Sequence, residues 1–112
     1  MSIRRSSALL KHSAPVFAAL GDENRLRLVA RLSTDGPQSI TRLASGAAVT
    51  RQAITKHLHV LAEAGLVRNS KNGRETLYEL ELRELARARR ALDELSEEWD
   101  QALGRLKALV ER

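Results

Sequence analysis

Residues 50–66, TRQAITKHLHVLAEAGL, decide the fold. Thr50 is a good N-cap, Ala53, Ile54, Leu58, Leu61 and Ala62 recur at the spacing of one helical face, and Gly65 is placed to end the helix. That face belongs to a core. The opposite face carries Arg51, Gln52, Thr55, Lys56 and His59, all able to donate a hydrogen bond, and no carboxylate precedes Glu63. Phosphates and base edges are met by such groups, so the spacing predicts a DNA-reading helix over 51–64. Directly behind it, VRNSKNGRETLYEL (67–80) offers two strand-like runs around Asn72-Gly73, the commonest two-residue hairpin loop, flanked by Lys71 and Arg74. A basic-tipped hairpin after a helix of this kind is a wing.

Upstream, the residues predict a helical scaffold. ALLKHSAPVFAAL (8–20) carries Leu9, Leu10, Val16, Phe17 and Leu20 in a helical pattern, interrupted by Pro15, which marks either a kink or a new start, and ended by Gly21. Asp22 then caps a second helix holding Leu26, Leu28, Val29 and Leu32, without a full capping box because Arg25 stands where an acid would. Asp35-Gly36-Pro37 is a turn, Ser39 caps a short helix with Ile40, Leu43 and Ala44, and Ser45-Gly46 opens the turn before Thr50. Helix, helix, short helix, turn, recognition helix, hairpin and long helix make a mainly α chain with a β-hairpin wing, the winged helix-turn-helix order.

With 112 residues the chain fits one domain, 1–112. It has 43% hydrophobic but only 3% aromatic residues, so its core draws on Leu, Ala, Val and Ile. A net charge of +5 favours a polyanionic partner, and the excess lies early: six Lys or Arg against two acids in 1–32, six against four in 33–80, seven against eight beyond. The absence of cysteine excludes disulfides, thiolate metal sites and Cys nucleophiles. No apolar run approaches a membrane span and MSIRRSSALLKHSAP lacks the apolar stretch of a secretory signal, so the expected location is the cytoplasm, with no membrane partner.

The last segment reads as one long helix whose Leu82, Leu85, Ala86, Ala88, Leu92, Leu95, Trp99, Leu103, Leu106, Leu109 and Val110 recur at three- and four-residue steps. Such a stripe exceeds what a small core can cover, which predicts a homodimer built from this helix and the N-terminal one. The dimer residues expected are Leu9, Phe17, Leu92, Leu95, Trp99, Leu103 and Leu106. The alternative is a helix that folds back wholly within the monomer.

Three stretches together resemble the ArsR/SmtB-type bacterial transcriptional regulators: FAALGDENRLRLVARL from Phe17, TRQAITKHLHVLAEAGLV from Thr50 and GRETLYEL from Gly73. The resemblance runs from about Phe17 to the chain end. It implies a dimeric repressor of double-stranded DNA that binds a palindromic operator and releases it when an effector binds. Carried onto this sequence, it places Thr50, Arg51, Gln52, Thr55 and Lys56 at major-groove positions and Lys71 and Arg74 on the wing, while His57 matches a family histidine.

The chain departs from the family where its metal sensors bind. SITRLASGAAV (39–49), on which their thiolate site would lie, has no Cys, His, Asp or Glu, and residues 83–112 contain no histidine for a carboxylate and imidazole site. Asp93, Glu94, Glu97, Glu98 and Asp100 read as a solvated face opposite Arg87, Arg89 and Arg90. The stretch around Trp99 resembles a subgroup without metal ligands, so no metal or other cofactor is expected and the effector is left open. His12 and His59 read as surface histidines, His57 as packed beside the helix core or touching a phosphate, and Trp99 as packing rather than ligand stacking.

Two other classes compete with a regulator. A winged module that binds protein instead of DNA would want an acidic helix face, and here that face is basic. An enzyme needs an assembled nucleophile, acid-base pair or metal triad, and none stands out. With histidines only at 12, 57 and 59, the ligand supply predicts that zinc, nickel, cobalt or copper titrated into the protein–DNA complex leaves affinity unchanged. A loss of binding of about tenfold at micromolar metal, reversed by chelator and absent in His12→Ala or His57→Ala, would contradict this.

Overall fold

Every apolar face predicted from the sequence needs a neighbour, and the order of elements supplies most of them. A computed structural model of the chain describes residues 3–111, with side chains from residue 8; Met1 and Ser2, which begin the stretch read for a signal, and Arg112 lie outside. The elements are α1 (Ile3–Leu20), α2 (Glu23–Asp35), β1 (Gln38–Ser39), α3 (Ile40–Ala44), α4 (Arg51–Glu63), β2 (Val67–Asn72), β3 (Glu75–Leu80) and α5 (Leu82–Val110). The fold is the winged helix-turn-helix that the sequence predicts. Among the described residues, no helix is long and apolar enough to cross a membrane.

The caps stand where the sequence puts them. Asp22, Ser39 and Thr50 adopt extended backbone, and their side chains accept from the amides of Arg25, Arg42 and Ala53, satisfying donors that a helix start leaves open. Pro15 neither breaks α1 nor starts a new helix. It sits inside one continuous helix, which forgoes the amide bond to the carbonyl of Lys11.

One core joins the elements. Val16 and Ala19 from α1, Leu28 and Leu32 from α2, Leu43 from α3, Ile54, Leu58 and Leu61 from α4, and Leu66, Val67 and Ala88 beyond them form a single buried cluster. In α2 and α4, Leu26 and Ala62, both expected on apolar faces, are exposed. On α4 the inward place belongs instead to His57, whose side chain is 17% exposed. The helix has turned slightly from the predicted face because Ile54, His57, Leu58 and Leu61 follow the three- and four-residue steps more closely than Ala62 does.

The sheet differs from the prediction in two ways. It has three strands in the order β1-β3-β2, all antiparallel, with Gln38 opposite Tyr78 and Ser39 opposite Leu77. A two-residue strand carries no periodicity; it exists because β3 offers a free edge where the turn at Gly36-Pro37 delivers the chain. In the hairpin, Asn72 pairs with Glu75, so the loop is Gly73-Arg74 and not Asn72-Gly73. Gly73 has φ 67° and Arg74 is not left-handed, as in a type II′ turn, which asks for glycine at its first central position. Asn72 is thereby freed to join the ladder.

α5 is one helix of 29 residues, and its stripe divides. Leu85, Ala88 and Ala91 face the core and α1, and the small buried Ser13, Ala88 and Ala91 let the two helices approach closely. Leu82 and Ala86, predicted on the stripe, are exposed. Beyond Ala91 the helix leaves the core, with Leu92, Trp99, Leu103, Leu106, Leu109 and Val110 each more than half exposed.

The end of α4 is fixed by its backbone. Gly65 has φ 78°, its amide donates to the Ala62 carbonyl at 3.0 Å, and the Leu66 amide donates to the Leu61 carbonyl at 2.9 Å. This is the Schellman pair, and its apolar contact is supplied by Leu61 and Leu66, both fully buried. A Cβ on Gly65 would lie 3.0 Å from Cγ of Glu84, a flexible side chain that can move, so the backbone sets the cost. Gly65→Ala should destabilise the fold by about 1–2 kcal/mol in urea unfolding, the strain of a left-handed non-glycine residue.

Candidate nucleic-acid interface

α3, the turn from Ser45 to Thr50 and α4 form the helix-turn-helix, and the cap at Thr50 decides how α4 presents its first turn. With the Thr50 hydroxyl oxygen holding the Ala53 amide at 3.1 Å, Arg51, Gln52, Thr55 and Lys56 stand exposed on the two leading turns. Arg51 and Lys56 enter no ion pair with any described residue. Two free cations and an amide at a helix N-terminus suit an anion or a base edge. Thr55 is more restricted: its hydroxyl donates to the Arg51 carbonyl at 3.0 Å, so outward it offers lone pairs and a methyl group.

His59 is exposed, as its surface reading expects, but its Nε2 lies 3.0 Å from the Glu63 carboxylate one turn on. It therefore stands at the acidic end of the face. The wing divides its charges similarly. Lys71 donates across the hairpin to the Thr76 hydroxyl at 3.0 Å, which steers its ammonium without neutralising it, and Arg74 stands in the turn without an ion pair to a described residue. Arg68, on the same hairpin, is held by Glu79 at 2.9 Å and Glu81 at 3.3 Å.

The proposed contacts thus fall in two places. Thr50 to Lys56 share the head of α4, whereas Lys71 and Arg74 sit at the far end of the β2–β3 ribbon that follows it. Sequence reasoning did not single out Thr41 and Arg42, which α3 exposes beside the helix-turn-helix turn; a five-residue helix is too short to show a polar face by periodicity. Arg31 fixes that helix from below, donating to the carbonyls of Leu43 at 2.9 Å and Arg42 at 2.7 Å.

The dimer residues named from the sequence divide as well. Leu95 is half-buried and Leu92, Trp99, Leu103 and Leu106 are exposed on α5, whereas Phe17 packs against the core of its own chain and Leu9 is half-buried. The acidic run from Asp93 to Asp100 forms no cluster of ligands able to hold a metal, and none occurs elsewhere among the described residues.

This arrangement has known relatives. The helix-turn-helix domain family matches residues 20–69. The HTH-type transcriptional regulator Rv2034 of Mycobacterium tuberculosis is 36% identical over 95 residues, 85% of either chain. An ArsR-like transcriptional regulator from Rhodococcus sp. RHA1 is 40% identical, with a TM-score of 0.78 over 88% of this chain and 92% of that one. The chain belongs to the ArsR family of transcriptional regulators. A further solved structure, a possible transcriptional regulator for arsenical resistance, is 38% identical with a TM-score of 0.64, covering 78% of this chain and 91% of its own. The family match begins at the end of α1 and closes within β2, so it spans the whole helix-turn-helix described above.

One titratable group near the recognition helix is displaced from its ordinary behaviour. The Arg25 amide, donating at 3.0 Å, holds the Asp22 carboxyl below its usual value, with smaller help from the charges of Arg25 and His57, while partial burial opposes them. A depressed carboxyl contributes stability that is present above its unfolded value, 3.8, and lost as the pH falls through the folded one. Asp22→Ala should therefore lower the urea midpoint at pH 7, and the gap from the parent should narrow, without closing, as the pH falls below about 3.8, because the protonated carboxyl still caps; Asp22→Asn, a neutral cap, should likewise keep most of the midpoint at neutral pH.

Proposed function

We propose that this ArsR-family regulator is a homodimeric repressor that binds a palindromic operator in the cytoplasm, reading it with α4 and bracing itself with the wing. The observation that carries the reading is the head of α4, where Arg51, Gln52 and Lys56 are exposed and the two cations have no ion pair among the described residues, ahead of any carboxylate on that helix. Arg51, Gln52 and Thr55 contact base edges, since residues near the N-terminus of a recognition helix enter deepest. Thr50, Lys56, Lys71 and Arg74 hold phosphates, and His59 lies at the margin of the contact. The exposed stripe from Leu92 to Leu106 supports a second copy as the other half, with Leu9 and Phe17 proposed as the contribution of α1. Two recognition helices would then meet half-sites about one helical turn, ~34 Å, apart. DNA release on effector binding completes the cycle, and no metal is needed for it.

A gel shift with the DNA upstream of the chain's own coding region tests the binding, and sedimentation equilibrium showing only monomer at micromolar concentration would refute the dimer. On the preferred site, Arg51→Ala or Gln52→Ala should cost about 1–3 kcal/mol and blur discrimination between sequences. Arg74→Ala or Lys71→Ala should weaken all DNA alike and flatten the salt slope by about one unit for each phosphate no longer neutralised. Arg68→Ala, whose charge Glu79 and Glu81 already answer, should leave that slope unchanged. Equal binding of specific and random DNA by the parent and Arg51→Ala would sink the assignment.

A further inference from the structure

Two helices must keep a fixed relation if a dimer is to read two half-sites: α4, which enters the groove, and α1, which lies along α5. They are not neighbours in sequence, and a side chain from a third helix joins them. Arg25, in the first turn of α2, donates from Nε to the Ala19 carbonyl in the last turn of α1 at 2.6 Å. One of its terminal nitrogens lies 3.4 Å from Nδ1 of His57, in the middle of α4. Guanidinium nitrogens only donate, so the second contact requires His57 Nδ1 as acceptor. Asp22 completes the group, its carboxylate 3.0 Å from the Arg25 amide and 4.0 Å from His57 Nδ1.

Val16 and Ala19 of α1 share the buried core with Leu58 and Leu61 of α4, but the flank of that seam is open. Beside Arg25 it opens into a hollow of about 440 Å³, lined by Pro15, Ala18, Ala19, Val60, Glu63 and Ala64. On that flank Ala18, Ala19 and Ala64 offer little side chain to pack, so the relative angle of the two helices is less tightly set there than in the buried cluster. A planar guanidinium answers that looser packing, because its donors are held in one rigid fork and fix two acceptors relative to each other.

We infer that Arg25 is a positioning residue which, through His57, sets the angle of the recognition helix to α1 and so the half-site spacing that the dimer accepts. The inference rests on the dimeric DNA-binding reading above. It gives His57 a task distinct from DNA contact and gives Arg25 one distinct from a solvated charge.

The test uses His57→Asn, which keeps an acceptor close to the place of Nδ1, His57→Leu, which keeps bulk without an acceptor, and Arg25→Lys, which keeps charge without the fork. Each full-length protein is titrated against the duplex that the parent selects from a random pool, against the same duplex with its spacer lengthened or shortened by one base pair, and against an isolated half-site. The parent and His57→Asn should prefer the selected spacing by about tenfold or more, the scale of one mismatched base pair. His57→Leu and Arg25→Lys should bind the half-site as the parent does and lose the spacing preference. Circular dichroism identifies a variant that fails to fold, and the other then decides. A folded His57→Leu or Arg25→Lys that retains the parent's spacing preference overturns the inference, as does a loss of half-site affinity equal to the loss on the full site. No binding by the parent itself would refute the DNA-binding reading instead, and this inference with it.

Discussion

The backbone of Leu66 holds the reading helix and the wing in one frame. Its amide closes α4 on the Leu61 carbonyl at 2.9 Å, and its carbonyl accepts from the Glu81 amide at 2.8 Å, where β3 gives way to α5. One fully buried residue therefore ends the recognition helix, starts the wing and fixes the root of the last helix. Backbone groups buried at such a junction must be paired, so the three elements cannot shift separately without leaving a donor or acceptor unmatched. Gly65 makes the geometry possible by taking the left-handed conformation just before it.

Around that frame the basic residues divide into those that build and those that face outward. Arg25 and Arg31 donate to carbonyls at the ends of α1 and α3, and Arg68 answers two carboxylates on the wing. These positions raise the net charge without offering it to a partner. Arg51, Lys56 and Arg74 have no such partner among the described residues, and their attraction for a polyanion is correspondingly undiminished. A net charge of +5 thus understates how localised the available charge is.

Much of this was legible because the deciding signals are local. A cap residue, a three- and four-residue apolar rhythm and a glycine after the last turn specify α4 with no reference to the rest of the chain, and the polar side of the same rhythm names Arg51, Gln52, Thr55 and Lys56. What escaped depends on distant partners. β1 exists only because β3 is beside it, and the hairpin loop moved one residue because ladder register, not dipeptide preference, sets which pair closes the turn. The inward turn of His57 follows from Asp22 and Arg25, more than thirty residues upstream. Nor does sequence alone reveal that the Thr55 hydroxyl is spent on its own helix or that Glu63 reaches His59, since these are matters of rotamer.

α5 poses the remaining physical question. Its first turns lie under α1 and carry the buried Ala88 and Ala91, so this part is an ordinary core helix. Past Ala91 the helix is only partly covered, with Leu95 half-buried and Leu92 exposed, yet the apolar rhythm continues through the exposed Trp99, Leu103 and Leu106. A helix that merely needed to be soluble would have replaced those residues, because polar side chains serve a solvated surface as well and an extended apolar stripe favours association. The stripe is continuous with the α1–α5 contact, and α1 is the helix whose last turn Arg25 holds against His57 of α4. Whatever covers the stripe is therefore linked to the reading helix through a short chain of packed side chains and hydrogen bonds, with α1 as the middle member.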